Sequence, residues 1–332
     1  MKKSFHVCGL GNAIVDIFLE VSDSDFNSLG FERGTMRLVD QTEQQQLLAR
    51  FHDGNHDLRL VSGGSVANSI IAIQQLGGKC AFTGCVGDDR YGLHYVEEFS
   101  QLAIDIGNPV LVGETTGTCI AIITPDAERT MRTCLAVSSQ LSARHIDAQQ
   151  IAKAEWLFIE GYVFANPETG QHAVREAIRI AKQNGTKVAL TCSDAFIPEV
   201  FGEAFGAALA DCDLLFCNAA ESIAVTQAAD ATEAFAKLKD LVADCVVTDG
   251  PHGAFVRVGG QESHAAAVEC QPKDLTGAGD MFAGAFLYGI THGLAPSEAA
   301  RCANYMCHKV ITQIGARLHQ GAQEHWQAAL EG

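Results

Sequence analysis

The stretch Asp274-Leu275-Thr276-Gly277-Ala278-Gly279-Asp280 runs directly into the apolar segment 281–287, which has the composition of a buried helix. Small residues at 277–279 leave the first backbone N–H groups of such a helix uncovered, and these donors at the positive end of the helix dipole bind phosphate oxygens. Asp280 falls in the first helical turn, where an acid also simply favours the dipole. A carboxylate beside bound phosphate has a chemical use when it faces a hydroxyl group that attacks phosphorus and gives up its proton. The pattern therefore predicts a phosphoryl-transfer site with Asp280 as base.

The composition is that of a large globular chain. With 332 residues and 47% hydrophobic content, the sequence fits one large α/β domain with a minor appendage. No apolar run reaches the roughly 18 residues of a membrane span, and the first residues lack a signal-peptide core, so we expect a cytoplasmic protein. A net charge of −17 opposes docking on nucleic acid or on an acidic membrane. Anionic ligands must then be held by local donors.

Twelve cysteines are scattered through apolar segments, without a Cys-x-x-Cys pair. Their placement favours reduced thiols in the core over disulfides, and it argues against a zinc site.

Short segments rich in β-formers alternate with helix-length periodic segments such as 168–183 and 232–242. This alternation predicts a mainly parallel sheet with helical crossovers, in which ligands gather at the carboxyl ends of the strands. The predicted strands are 81–83, 156–159, 187–190, 214–216 and 245–248.

Two segments, about 13–40 and about 110–135, break the alternation. Each holds β-rich pieces without intervening helices, so they predict a small accessory sheet. The predicted pieces are 14–21, 36–39, 119–124 and 130–134.

Two further glycine-containing stretches lie in the first quarter of the chain. The stretch 8–16 begins like a dinucleotide fingerprint, but Ile14 stands where the third glycine belongs, and a β-rich segment follows where a helix is required. The stretch Ser62-Gly63-Gly64-Ser65-Val66-Ala67-Asn68 opens a helix-like segment. Glycines there let a polyhydroxylated ligand approach the backbone, and an amide such as Asn68 offers a donor and an acceptor to vicinal hydroxyls.

The 274–280 string resembles the second signature of the PfkB-type carbohydrate kinases of the ribokinase-like superfamily, with Leu275 as its internal departure from the family pattern. Matching motifs occur in the family's order from residue 9 to residue 280. The resemblance implies a ribokinase-like three-layer α/β fold with a mainly parallel central sheet. It also implies one kinase domain over 1–332, in which segments 13–40 and 110–135 form a β-sheet lid over the substrate.

The resemblance also implies roles for individual residues. Asp280 is the base, the N–H groups of Gly277, Ala278 and Gly279 form an anion hole, and Arg129 approaches the transferring phosphoryl group, with Arg132 as the alternative arginine. The predicted substrate residues are Asn12, Asp16, Gly63, Gly64 and Asn68. The predicted nucleotide residues are Asn218, Thr248, Gly250 and Gly253. The predicted metal residues are Glu221 for Mg²⁺ through water, and Asp274 and Thr276 with the loop 310–315 for K⁺. Asn218 and Glu221 are equally spaced for a simple helix cap.

The activity implied by the resemblance is ATP-dependent phosphorylation of a hydroxymethyl group. The stretches 12–16, 34–36, 129–131 and 315–317 look most like bacterial members grouped with adenosine kinase, which implies the 5′-hydroxyl of adenosine as acceptor and AMP as product. A simple-sugar kinase for ribose, fructose or 2-keto-3-deoxygluconate is the alternative, and a non-catalytic sugar sensor is a further one. The expected partner is a small nucleoside or sugar, and the chain is expected to be a monomer or a homodimer.

Overall fold

The computed structural model describes residues 2–51, 58–107, 110–126 and 128–332. Residues 1 and 127, which belong to the predicted domain and to the predicted lid, lie outside the described residues. The strands are β1 (Phe5–Leu10), β2 (Ile14–Glu20), β3 (Met36–Leu38), β4 (Arg59–Gly63), β5 (Cys80–Thr83), β6 (Val86–Gly87), β7 (Asp105–Ile106), β8 (Val110–Leu111), β9 (Gly117–Ile123), β10 (Arg129–Cys134), β11 (Ala154–Ile159), β12 (Lys187–Thr191), β13 (Leu214–Asn218), β14 (Asp244–Thr248), β15 (Ala254–Val258) and β16 (Gln261–Ala265). The helices are α1 (Asp23–Asn27), α2 (Gln41–Phe51), α3 (Ser65–Gln75), α4 (Arg90–Gln101), α5 (Ala148–Lys153), α6 (Gly170–Gln183), α7 (Phe196–Leu209), α8 (Ala219–Thr226), α9 (Ala231–Leu238), α10 (Ala278–Thr291), α11 (Pro296–Ile311) and α12 (Ala322–Glu331).

The central sheet has nine strands in the order β16-β15-β14-β13-β12-β11-β1-β5-β7. It is parallel from β14 to β7, and β15 and β16 are added antiparallel at one edge. Strand β1 lies inside this sheet between β11 and β5, in a register that pairs Cys8 with Leu157 and with Ala81. A parallel strand that is covered on both faces has a continuous run of apolar residues, and the last four residues of β1 are buried in this way.

Two apolar clusters on opposite faces of the central sheet make the fold three-layered. On one face, buried residues of α3, α10 and α11 pack against side chains such as Val7. On the other face, α5, α6 and α7 cover side chains such as Cys8 and Leu10. Alternate residues of β1 therefore anchor both layers, as the period of a strand requires. The predicted ribokinase-like α/β architecture with a large, mainly parallel sheet and a smaller sheet is confirmed.

The smaller sheet has five strands in the order β3-β10-β9-β2-β4. It contains all four predicted accessory strands, and it also contains β4, which was not predicted and whose last two residues begin the glycine-containing stretch 62–68. The expectation that segment 13–40 holds no helix is wrong, because α1 lies within it. Ser22 caps α1 by accepting the N–H of Asp25 at 3.1 Å, and Phe26 is buried in a third apolar cluster with Leu47 and Ile120.

The predicted elements of the central sheet are confirmed with small shifts of their ends. Each of the five predicted strands is present and one to two residues longer. The helix predicted at 168–183 begins at Gly170, and the one predicted at 232–242 ends at Leu238, because residues 239–241 turn away. The glycine-containing motif at 8–16 spans two strands of different sheets, with its start in β1 and Asp16 in β2.

Two expectations from composition can be compared with the described residues. Among them, no helix has the length and the apolar character that crossing a bilayer requires. All twelve cysteines lie within the described part of the chain, and all are free thiols. Ten of them are buried, which agrees with their predicted role as small core residues.

Gly64, between β4 and α3, has a backbone conformation that only glycine adopts without strain. Its φ is +107°, and a Cβ atom there would lie 2.1 Å from the carbonyl oxygen of Asn12. We expect Gly64→Ala to lower the free energy of unfolding by at least about 2 kcal/mol, since neither the φ angle nor the backbone contact can relax cheaply. Gly206, inside α7 with open space around it, is the matched control. Urea denaturation should show Gly206→Ala raising the stability by up to about 1 kcal/mol. Equal effects at the two positions would contradict the strain argument.

Candidate active site

Two cavities border the segment 275–279 at the start of α10. The large cavity has a volume of about 800 Å³, and the loop after β14 and the start of α10 form part of its wall. Thr248, Gly250 and Gly253 line it, as do Ala278 and Gly279. Three of the four predicted nucleotide residues are thus brought together in one cavity. Asn218, the fourth, lies at the end of β13 and is not among the lining residues.

The small cavity, of about 260 Å³, lies between the five-stranded sheet and the loop 315–319. The sheet provides acidic, basic and apolar groups, and the helices α3 and α4 close the other sides. Its wall contains Asp16, Phe18, Arg59, Val61, Asn68, Ile71, Glu98, Arg129, Thr276 and Arg317. A concave site with apolar walls and a few converging polar groups is the usual form of a small-molecule site.

The start of α10 separates the two cavities. Gly277 is its N-cap residue, with a φ of +77°, and a Cβ there would come within 2.5 Å of the Ala316 carbonyl oxygen. Among the described residues, no hydrogen bond engages the N–H groups of Gly277 or Gly279. The N–H of Ala278 is not free as predicted, because it donates to the Leu275 carbonyl oxygen at 3.2 Å in a tight turn. Two of the three predicted anion-hole donors are therefore free.

Asp280 is held by two side chains of α3. Ser65 Oγ donates to its Oδ1 at 2.6 Å, and Asn68 Nδ2 donates to its Oδ2 at 3.0 Å. Burial raises the pKa of Asp280 to about 6, although these two hydrogen bonds and the charge of Arg317 act in the opposite direction. A carboxylate with this pKa is ionised at neutral pH and is still a better proton acceptor than an exposed one.

The amide of Asn68 is used at both ends within the protein. While its Nδ2 donates to Asp280, its Oδ1 accepts from Arg317 Nε at 3.1 Å. Sequence analysis expected this amide to serve substrate hydroxyls. The structure instead gives both of its polar atoms to neighbouring side chains.

Asp16 faces the small cavity from β2. Burial raises its pKa to about 6, and Arg317 and Arg129 partly offset that rise. Gly63 lies directly against it, since a Cβ at position 63 would be 2.9 Å from Asp16 Oδ2. Of the predicted substrate residues, Asp16 and Asn68 line the small cavity, and Gly63 and Gly64 are not among its lining residues.

Asn12 lies deeper than predicted. Its side chain is buried and donates from Nδ2 to Glu160 Oε1 at 2.9 Å, while Oε2 of the same carboxylate accepts the N–H of Val66 at 3.1 Å. Burial raises the pKa of Glu160 to about 7. Asn12 lines neither cavity, so in this structure it joins the end of β1 to the start of α3 and does not face a ligand.

Arg129 links the five-stranded sheet to the loop before α10. Its Nη1 lies 2.9 Å from Asp274 Oδ2, and both side chains are about nine-tenths buried. The Asp274 carboxylate also accepts the N–H groups of Thr276 and Gly315, at 3.0 and 2.7 Å. The predicted potassium residues are therefore brought together with the loop near 315. Their carboxylate already has a cationic partner, which a potassium ion would have to share.

Arg132, the alternative to Arg129, lies on the opposite face of β10. Its Nη1 donates to the carbonyl oxygens of Thr35 and Met131 at 3.1 and 2.8 Å, and its guanidinium lies 4.0 Å from the centre of the Phe31 ring. Arg132 is buried and lines neither cavity. Of the two arginines, Arg129 is the one in the cavity wall.

Asn218 and Glu221 form a capping box at the start of α8. The Asn218 backbone N–H donates to Glu221 at 2.9 Å, and the Glu221 N–H donates to Asn218 Oδ1 at 2.9 Å. Burial raises the pKa of Glu221 to about 7, and the charges of Asp194 and Asp280 raise it further. In the described part of the chain, no three acidic, histidine or cysteine side chains cluster as a ready-made metal site. The Glu221 carboxylate offers oxygen donors of the kind that Mg²⁺ takes, and that ion usually keeps several water ligands.

Sequence analysis gave no role to several residues that the structure places at the site. Ser65 lies inside the glycine-containing stretch 62–68 and donates to Asp280, so its hydroxyl could have been considered as a site group from the sequence. Glu160 had no such signal, because it meets Asn12 across 148 residues. Glu98 and Arg317 also pair at 2.9 Å across 219 residues.

Comparisons with known proteins identify the family and the fold. A family model described as "pfkB family carbohydrate kinase" matches residues 36–321. The adenosine kinase of Sinorhizobium meliloti has a crystal structure that is 29% identical in sequence, with a TM-score of 0.87 over 98% of this chain and 99% of its own. The adenosine kinase of Saccharomyces cerevisiae is 26% identical over 92% of this chain and 94% of its own. An E. coli protein assigned as Ribokinase II, solved in complex with ATP and Mg²⁺, has the same fold at 20% identity, with a TM-score of 0.79 over 100% of this chain and 99% of its own.

The two arginines of β10 provide a matched pair for testing the site. We expect Arg129→Gln to lower kcat by at least about 100-fold, the usual cost of losing a donor to developing charge. Arg132→Gln should leave kcat within about threefold. It should instead lower the free energy of unfolding by about 1–3 kcal/mol, because the buried guanidinium loses its hydrogen bonds to the Thr35 and Met131 carbonyls and its packing on Phe31. Steady-state kinetics of both variants measure the effect on kcat, and urea denaturation measures the effect on stability. A larger loss of kcat in Arg132→Gln than in Arg129→Gln would reverse the assignment.

Proposed function

The chain belongs to the pfkB family of carbohydrate kinases, and we propose that it transfers the γ-phosphoryl group of ATP to the 5′-hydroxyl group of adenosine, giving AMP. The observation that carries the proposal is the position of Asp280. It lies at the start of α10, whose Ala278 and Gly279 line the large cavity, and it is bonded to Asn68, which lines the small one. Asp280 lines neither cavity itself, but a base between residues that line both can serve a hydroxyl group in one and a phosphoryl group arriving from the other.

The large cavity is the proposed nucleotide site. Its glycines at 250 and 253 let phosphate groups approach the backbone, and the free N–H groups of Gly277 and Gly279 stabilise charge on the transferring group. Glu221 would hold Mg²⁺ through water, and the ion would supply positive charge to the phosphate oxygens. K⁺ near Asp274 and Thr276 stays a prediction.

The small cavity is the proposed acceptor site. Asp16 provides an acceptor for the hydroxyl groups of a ribose, and the backbone at Gly63 lies beside it. Arg129, in the same wall, is the proposed donor to the transferring phosphoryl group. Phe18, Val61 and Ile71 form apolar wall that suits a purine base. This combination, with the full-length similarity to two adenosine kinases, supports a nucleoside as the acceptor.

The five-stranded sheet is the proposed lid. Two of its strands, β2 and β10, contribute Asp16, Phe18 and Arg129 to the acceptor site, and segments 13–40 and 110–135 supply most of its residues. Closure of this sheet over the acceptor would exclude water that competes for the phosphoryl group. The Arg129–Asp274 ion pair joins the sheet to the loop before α10 in the described arrangement.

In the proposed mechanism, Asp280 removes the proton as the 5′-oxygen attacks phosphorus. Its two hydrogen bonds to Ser65 and Asn68 fix the direction of the carboxylate before the substrate arrives. With a pKa of about 6 it is ionised at pH 7, and it gains basicity from burial. Preorganised donors and a fixed base then lower the barrier without further rearrangement.

A simple-sugar kinase is the second candidate. The observation in its favour is the volume of the small cavity, about 260 Å³, which is at the low end for small-molecule sites and suits a monosaccharide. Ribose, fructose and 2-keto-3-deoxygluconate are the sugars to compare with adenosine.

The role of Asp280 is tested by removing its charge. We expect Asp280→Asn to keep the fold and the affinity for ATP but to lower kcat by roughly 10²–10⁴, the usual contribution of a general base. Asp240→Asn is the matched control, because Asp240 is exposed and lines neither cavity. Near-normal turnover of Asp280→Asn, with the control variant fully active, would show that Asp280 is not the base.

The acceptor is tested with a panel of adenosine, inosine, guanosine, ribose, fructose and 2-keto-3-deoxygluconate, with ATP, Mg²⁺ and measurement of ADP release. We expect kcat/KM for adenosine to exceed that for ribose by at least about tenfold, because binding of the base orients the 5′-hydroxyl. Ribose or fructose as the best substrate would overturn the nucleoside assignment and keep the kinase. No turnover of any compound, with sugar binding still detectable by calorimetry, would favour a sensor.

A further inference from the structure

A chain of four polar side chains crosses the floor of the small cavity and ends at Asp280. Glu98 Oε1 accepts from Arg317 Nη1 at 2.9 Å, and Arg317 Nε donates to Asn68 Oδ1 at 3.1 Å. Asn68 Nδ2 then donates to Asp280 Oδ2 at 3.0 Å. The four residues come from α4, the loop after α11, α3 and α10, so the chain joins four separate parts of the fold.

The amide of Asn68 has one orientation that satisfies both neighbours. A guanidinium has only donors and an ionised carboxylate has only acceptors, so Oδ1 must face Arg317 and Nδ2 must face Asp280. Turning the amide by 180° would set its NH₂ group against the guanidinium and its oxygen against the carboxylate. Without Arg317 only the Asp280 end would orient the amide, and its oxygen would lose its donor.

Arg317 is itself fixed by Glu98. The side chain of Arg317 is 12% exposed, and the second oxygen of Glu98 accepts the N–H of Ser62 at 2.9 Å. Burial raises the pKa of Glu98, but the charge of Arg317 and the bonds from Ser62 outweigh it, so the pKa is lowered and the carboxylate stays ionised. A planar guanidinium can donate to two partners from one rigid fork, and a lysine ammonium at this position cannot reproduce both directions.

From these contacts we infer that Arg317 is a positioning residue for the phosphoryl-transfer reaction: held by Glu98, it orients the Asn68 amide so that Asn68 fixes the Asp280 carboxylate. The inference rests on the proposed role of Asp280 as base. It gives Asn68 the role of orienting the base, and it lets the C-terminal loop at 317 influence catalysis through Asn68.

The charges around Asp280 come from several elements. Asp16, Glu160 and Glu221 are acidic groups whose own pKa values are raised by the charge of Asp280, and the thiol of Cys307 is affected in the same direction. Arg317 is the cation that favours the ionised form of Asp280, and it also favours the ionised form of Asp16. Loss of Arg317 should therefore make both carboxylates easier to protonate.

A double-mutant cycle tests the inference with the best substrate of the panel. We expect Arg317→Gln to lower kcat by about 10- to 100-fold in the wild-type background and by less than about threefold in Asn68→Ala, because its action passes through Asn68. The acid limb of kcat/KM against pH should move to higher pH in Arg317→Gln. In Arg317→Lys the charge is kept, so the limb should stay near its wild-type position while kcat remains low.

Two controls separate the possible failures. Arg179→Gln, an exposed arginine on α6, should leave kcat and the pH profile unchanged. Equal costs of Arg317→Gln in the two backgrounds, with an unmoved acid limb, would overturn the positioning role. If Asp280→Asn is inactive in the same assay, that result would leave the proposed base intact. If Asp280→Asn is active, the proposed base fails, and the inference about Arg317 fails with it.

Discussion

Helices α3 and α10 approach each other so closely that position 284 has no room for a side chain. A Cβ on Gly284 would lie 2.6 Å from the carbonyl oxygen of Ser69 and 3.0 Å from the Cβ of Ala72. One helical turn earlier on each helix stand Asp280 and Ser65, which share a 2.6 Å hydrogen bond. The close contact of the two helices thus sets Asp280, its two side-chain donors and the free N–H groups of α10 in one place. The geometry of the site depends on this distance between two helices.

The site combines four raised pKa values with few cations. Asp16 and Asp280 have pKa values of about 6, and Glu160 and Glu221 of about 7, with burial as the main cause in each. Asp280 raises the other three, so these groups titrate as a coupled set. Arg317 and Arg129 oppose this accumulation of negative charge from the side of the small cavity. In a chain with a net charge of −17, these two arginines are the local positive charges beside the proposed phosphoryl-transfer site.

The sequence predicted best those features that depend on a few consecutive residues. The 274–280 string predicted a helix start with small residues and an acid in its first turn, and alternation predicted the parallel sheet. The opposite faces of Arg129 and Arg132 also follow from the period of a strand, since residues three apart on β10 point to opposite sides. Contacts between residues far apart in the sequence could not be predicted. Nothing in the sequence pairs Arg317 with Asn68, 249 residues away, or shows that Ala278 N–H closes a turn with Leu275.

The basicity of Asp280 is a balance that the surrounding contacts maintain. Burial alone would raise its pKa above this value and so leave a larger fraction protonated, and a protonated acid cannot accept the substrate proton. The bonds from Ser65 and Asn68 and the charge of Arg317 pull the pKa back to about 6. Stronger opposition would return it toward the value of an exposed aspartate, which is a weaker base. A general base works best with a pKa near the operating pH, and residues from α3, α10 and the C-terminal loop together give the proposed base such a pKa.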